Sequence, residues 1–202
     1  VVRDVAPRPG AEGVTPGRLA RLEPFAAPAV LAGAVALRFH EYLLGGSVVG
    51  RDAVFFFVPL RAVTSRLLSA GELPLWNDAS GAGRALAANP NAAAFWPGTW
   101  LVPLLGTTGL FLLHVLLVVL LACAALRSLG VSRTASCAGG LVLLFSGVFQ
   151  TVPLLFTTVA SLAPLPIALA ATGTLDPDEK RGTRRRVATI GLALGLSLVG
   201  GE

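Results

Sequence analysis

"TASCAGGLVLLFSGVFQTVPLLFTTVASLAPLPIALAATGTL", residues 134–175, contains no charged side chain. A membrane span takes about 20 apolar residues, so this stretch has the length for two. A water-soluble fold of this size cannot bury so much uncharged chain. "FSGVFQTVPLL" supplies Gly147, Gln150 and Pro153 as the break between the two spans. Pro164 and Pro166 fall inside the second, where neighbouring helices can satisfy the backbone groups that proline frees.

The rest of the chain has the same character. Of its 202 residues, 54% are hydrophobic and 13% charged, with a mean hydropathy of +0.74. A soluble domain carries roughly 25% charged residues. Five spans are expected, at 25–44, 108–126, 134–150, 155–173 and from 187 onward. The expected fold is therefore all-α, a polytopic helical membrane protein. The chain has no Met and stops at Glu202 inside the apolar run from Val187, so both ends are expected to be fragment boundaries.

A net charge of +5 invites a nucleic-acid reading, which the placement of the charges argues against. Five of the sixteen basic residues fall in "KRGTRRR", residues 180–186, without interleaved aromatic stacking residues. Such a cluster anchors a cytoplasmic face and meets anionic lipid. Arg127 and Arg133 occupy another short link. With alternating spans both links lie on the cytoplasmic side, as does the arm 1–24 with Arg3, Arg8, Arg18 and Arg21. Residues 25–202 then form an incomplete transmembrane domain, and 45–107 its first extracytoplasmic loop.

Within that loop, "PLRAVTSRLLSAG", residues 59–71, predicts a short interfacial helix. Pro59 suits its first position and Gly71 the residue past its end. Leu60, Val63 and Leu67 share a face toward lipid or protein, away from Arg61, Ser65 and Arg66. Phe55, Phe56 and Phe57 are expected to dip into the lipid boundary, with Trp76, Trp96 and Trp100 in the aromatic belt.

Asp52, in "VVGRDAVFFF", is the acid nearest the first span. An interfacial carboxylate is a functional candidate, set against a helix cap or a partner for Arg51. "HEYLL" at His40 lacks the second His of a zinc helix, and "GAGRAL" from Gly81 lacks the strand and third Gly of a nucleotide loop. "DPD", Asp176–Asp178, balances the adjacent basic run. Cys123 and Cys137 are expected reduced and inert. His114, inside a span, is expected to bond a neighbouring helix.

"GRDAVFFFVPLR", "SAGELPLWN", "ALAANPN" and "AFWP" together resemble the N-terminal part of the bacterial YfhO-type membrane proteins, relatives of the GT-C glycosyltransferases. Asp52, Pro59 and Arg61 keep that family's interval, and Gly71 through Asn77 match its "GELPLWN" run. Ala88, Asn89, Pro90, Phe95 and Pro97 follow its next two segments; Asp78, Asn91 and Trp96 depart from it, standing for Pro, Gln and Tyr. The resemblance runs in order from residue 45 to about 175. It implies a GT-C-like fold in a multi-pass protein of the bacterial plasma membrane, and a polyprenyl-phosphate-linked sugar donor used on an envelope or exported glycan acceptor at the outer face.

On that reading Asp52 is the catalytic carboxylate, as general base or as ligand to a divalent metal such as Mg or Mn. Arg61, Arg66 and Arg84 are candidates for the donor phosphate. Asn77 and Asn89 are candidates for sugar hydroxyls, with plain service to turn backbone as the alternative. Two other functions stay open: a transporter or flippase of lipid-linked material, and a non-catalytic envelope-assembly protein.

Overall fold

The structure, a computed structural model, describes residues 18–46, 52–147, 149, 156–173 and 180–200. Most of the N-terminal arm, Arg51, Gln150, Pro153 and Asp176–Asp178 lie outside the described residues. The fold is all-α. Its helices are α1 (Arg18–Arg38), α2 (His40–Leu43), α3 (Val58–Ser69), α4 (Val102–Ser128), α5 (Arg133–Leu144), α6 (Phe156–Leu162), α7 (Leu165–Gly173) and α8 (Lys180–Val199). A two-residue antiparallel ladder joins β1 (Trp76–Asn77) to β2 (Arg84–Ala85).

Among the described residues one helix, Pro97–Ser128, is long and apolar enough to cross a membrane. Its first turn is a 3-10 helix, and Gly106 at φ 66° interrupts the regular ladder. From there to Ser128 the helix rises roughly 33 Å at 1.5 Å per residue, close to a hydrocarbon core of about 30 Å. The expected span 108–126 lies inside it.

Of the other expected spans, the one from 187 onward is the C-terminal part of the unbroken helix α8, and the remaining three are shorter or broken. The one at 25–44 stops at Arg38, because Phe39 leaves the helix (φ −117°, ψ 27°) to bury its ring. That ring meets Phe111 edge-on at 5.4 Å and stacks on Tyr42 at 5.9 Å. The one at 134–150 gives α5, which stops at Leu144, where Ser146 Oγ donates to the Leu143 carbonyl at 2.7 Å. The one at 155–173 divides into α6 and α7 at Pro164. Ser197 Oγ of α8 donates to the Ser161 carbonyl in α6 at 2.6 Å, three residues before Pro164. The basic run lies within α8, although cations at a helix N-terminus oppose the macrodipole.

The main core cluster is built mostly from α1 and α4, joined by Phe57, Leu144 of α5 and Val159 of α6. Leu31, Val35 and Phe39 face inward at helical spacing and pack with Leu110, Val115 and Val119 of α4. Gly140 lets α5 close on α1, since a Cβ there would come within 2.9 Å of Leu31 Cδ2. The outward faces are apolar as well: Leu37, Leu104, Val142, Leu169, Leu192 and Leu198 are all exposed.

The helix ends sort into two groups. Ala93 and Trp96, just before α4, pack with Ala160 of α6 and Leu196 near the end of α8. At the far end of α4, Leu129 lies against Gly173, the last residue of α7, and Ala27 of α1 lies beside Cys137 near the start of α5. The links carrying Arg127 and Arg133 therefore share an end with the start of α1. The 70–101 segment occupies the opposite end.

Candidate functional site

The segment from Asp52 to Leu101 closes over one end of the bundle. It begins with a π-helical turn, Ala53–Phe57, that runs straight into α3. The wider turn separates three consecutive phenylalanines. Phe57 is only 5% exposed and joins the core, while Phe55 and Phe56 remain outside. The expectation that all three meet lipid therefore fails at Phe57.

Helix α3 spans the predicted residues almost to the residue. Gly71, at φ 75°, ends it in a Schellman closure, with Glu72 N–H donating to the Leu67 carbonyl and Gly71 N–H to Leu68. Its buried face differs from the one predicted. Arg61 and Thr64 are buried, following Phe57 at helical spacing, whereas Leu60, Val63 and Leu67 are half-buried. A helical wheel ranks side chains by hydropathy, but here the backbone behind α3 needs donors. Arg61, 1% exposed, donates through Nη1 to the Ala92 carbonyl at 2.6 Å and to Thr99 Oγ1 at 2.5 Å. It thereby ties α3 to the two 3-10 turns, Pro90–Ala92 and Pro97–Leu101. Burial pushes its guanidinium pKa down to about 10, so it is still a cation at neutral pH.

The β1–β2 ladder pairs Asn77 with Arg84 and Trp76 with Ala85. Its tip turns through Gly81 and Gly83, both at positive φ. The Trp76 indole lies on Gly83, where a Cβ would meet Nε1 at 2.6 Å. Asn77 Oδ1 accepts from the Ala79 N–H at 3.0 Å, and Asn89 Oδ1 from the Asn91 N–H at 3.0 Å. Each amide oxygen thus holds its own turn, leaving the NH₂ end as what each Asn can offer a ligand.

Between α3 and this hairpin lies a cavity of about 300 Å³. Phe55, Phe56, Pro59, Leu60, Val63 and Leu86 form an apolar wall, and Asn77, Ser80, Arg84 and Asn89 supply the polar groups. Three of the five predicted ligand residues, Asn77, Arg84 and Asn89, therefore line one cavity. The other two do not. Arg61 is enclosed behind α3. Arg66 pairs at the surface with Asp78 Oδ1 at 2.5 Å, and this hydrogen bond and charge hold the Asp78 carboxyl below the usual carboxylate range. Asp52 stands at the head of the π-turn, half-buried, one turn before Phe55 and Phe56 and outside the cavity lining.

Ser80 and the Phe55–Phe56 wall were not singled out from sequence as ligand contacts. The available signal was the Gly-rich tip between Asn77 and Arg84, which brings both ends of a short turn to one place. The polar wall can donate to hydroxyls and an anion, and the phenyl rings offer an apolar face to a ring-shaped ligand. Among the described residues no three His, Cys, Asp or Glu side chains gather as metal ligands, and Asp78 is held by Arg66.

Beside the cavity, Trp96 is buried, against its expected place in the aromatic belt, while Trp76 and Trp100 are exposed. Trp96 Nε1 donates to His114 Nε2 at 2.6 Å, and His114 Nδ1 lies 2.7 Å from the Leu110 carbonyl. An indole N–H is only a donor, so the imidazole is neutral with its proton on Nδ1. The partner of His114 is thus the segment leading into its own helix. No family model, curated protein or solved structure matches the chain.

Proposed function

We propose that the chain is a multi-pass plasma-membrane protein of the GT-C-like glycosyltransferase kind, resembling the YfhO-type proteins. The cavity between α3 and the hairpin receives the sugar-phosphate end of a polyprenyl-phosphate-linked donor at the outer face. The observation that carries this reading is the gathering of Asn77, Arg84 and Asn89 opposite Phe55 and Phe56. The exposed apolar residues on five helices support a lipid-facing bundle. The common end shared by the basic links supports a cytoplasmic side opposite the cavity.

In this scheme the Arg84 guanidinium pairs with the donor phosphate. The Asn77 and Asn89 amides donate to sugar hydroxyls. An acceptor hydroxyl at the cavity's edge attacks the anomeric carbon, the bond to the phosphate oxygen breaks with its electron pair leaving on phosphate, and the Asp52 carboxylate, outside the cavity lining, takes the hydroxyl proton from that side. Arg61 positions the wall.

Two measurements test it. Single cysteines, Ala79→Cys and Thr183→Cys, in a background lacking Cys123 and Cys137, are labelled in intact cells with an impermeant thiol reagent. Position 79 should react and 183 should not; the reverse sinks the topology. In native membranes, Asp52→Asn should slow glycan modification 10²–10⁴-fold, as loss of a general base does. Arg84→Gln should raise the donor concentration needed, and Glu72→Gln should change neither. Full activity in Asp52→Asn removes Asp52 from the chemistry.

The break between α6 and α7 favours a second reading, a carrier of lipid-linked material, because transporters build sites on discontinuous helices. Movement of a labelled lipid-linked sugar across vesicles without cleavage of its phosphate bond would select it.

A further inference from the structure

At the end of the bundle opposite the cavity, two shallow grooves meet. One, of about 170 Å³, runs between α1 and α4 along Ala27, Pro28, Leu31, Leu120 and Ala124, and ends at Arg127 and Arg133. The other, of about 290 Å³, runs between α1 and α5 along Ala26, Ala27, Val30 and Cys137, and also ends at Arg133. Ala27 and Arg133 belong to both. The Arg127 guanidinium is steadied there by donating Nη1 to the Val131 carbonyl at 2.5 Å. That bond occupies one of its five N–H donors.

We infer that this junction is a binding site for one anionic diacyl phospholipid, its phosphate between Arg127 and Arg133 and one acyl chain in each groove. Charge complementarity selects the occupant: two guanidiniums close an otherwise apolar pair of channels, and a forked cation matches a phosphate. Basic pockets between helices on the cytoplasmic side recognise anionic headgroups in this way. The pair of channels matches a molecule with two chains. A zwitterionic lipid would fill the grooves but add its own cation beside the arginines. Inorganic phosphate would satisfy the arginines and leave the grooves empty. The site rests on the membrane placement of the bundle and is independent of sugar transfer.

The test is lipid retention by the full chain. Protein extracted in mild detergent is exchanged into phosphatidylglycerol or phosphatidylcholine of the same acyl composition, and bound lipid is counted by native mass spectrometry. One phosphatidylglycerol per chain is expected, retained at least about tenfold better than phosphatidylcholine, as charge-assisted hydrogen bonds warrant. Arg127→Gln with Arg133→Gln should abolish the preference. Arg184→Gln with Arg185→Gln removes the same charge from α8, outside both grooves, and should preserve it. Ala27→Leu, which fills the junction and leaves the charge alone, should reduce retention of both lipids; a folded bundle is verified by its helical circular dichroism. Glycerol phosphate and inorganic phosphate should fail to displace the lipid at concentrations that saturate a free-phosphate site. Equal loss in the Arg184–Arg185 variant, or displacement by phosphate alone, overturns the proposal. A chain that stays in membranes after an alkaline wash yet shows no lipid preference sinks this site alone, whereas release into the aqueous phase sinks the membrane reading with it.

Discussion

Arg61 is the residue whose replacement discriminates most sharply between holding the wall and touching a ligand. Each of its two bonds, to the Ala92 carbonyl and Thr99 Oγ1, contributes about 1.5–3 kcal/mol as a charged donor. Burial opposes them. Its pKa falls to about 10, well below the ordinary guanidinium range, so burial disfavours the cation by roughly 3 kcal/mol at about 1.36 kcal/mol per tenfold change. Arg61→Met keeps most of the volume and relieves the buried charge but leaves the two buried acceptors unpaired, so it should cost about 1–3 kcal/mol. Arg61→Lys keeps the buried charge, but its single ammonium cannot bracket two acceptors, and it should cost more, about 2–4 kcal/mol. Arg61→Ala adds a cavity and should cost about 3–5 kcal/mol. The assay is equilibrium unfolding in mixed detergent, with hydrogen exchange across residues 89–101 as the local readout. Faster exchange there should follow the same order. Unchanged stability in all three variants, with loss of donor binding, would refute the bracket and return Arg61 to the ligand.

Gly98→Ala would place a Cβ 2.5 Å from Trp96 Nε1 and 2.6 Å from His114 Nε2; overpacking of this kind costs about 1–3 kcal/mol, and a red-shifted tryptophan emission would reveal the opened pair. An unshifted spectrum with unchanged stability would show the site more yielding than its packing. The Arg66–Asp78 pair adds a pH dependence. Because Asp78 is held below the usual carboxylate range, the pair's contribution is complete above the ordinary carboxylate pKa and is lost as pH falls through the lowered value. Hydrogen-exchange protection in residues 72–86, taken relative to the intrinsic rate at each pH, should therefore fall on acidification in the wild type and be less pH-dependent in Asp78→Asn.

The parts of this fold readable in advance were those written in local chemistry. Pro59 and Gly71 mark α3, and the uncharged run at 108–126, apolar but for Thr108 and His114, marks α4, because backbone geometry and apolar length leave few alternatives. Asn77 and Asn89 each hold their own turn, as their residue type suggests, and also line the cavity. Partners distant in sequence were not readable. Nothing near Arg61 announces the acceptors thirty-one and thirty-eight residues on. Trp96 reads as a belt residue until His114 is known to lie across from it. Phe39 ends α1 for the sake of Phe111 on another helix. The composition around 134–175 gives lipid-compatible chain, but Ser146 and Pro164 decide where each helix stops.

The π-turn at Ala53–Phe57 has a rotational consequence. With 3.6 residues per α-helical turn, one added residue swings everything before it by about 100°. Asp52 is thus aimed by a phase offset, separately from the face that α3 presents to the bundle. Exchanging one phenylalanine for another large apolar residue leaves that phase intact. Deleting one of the three keeps the composition almost unchanged yet turns the carboxylate about a quarter revolution from its bearing. In this stretch the residue count is a stricter constraint than residue identity.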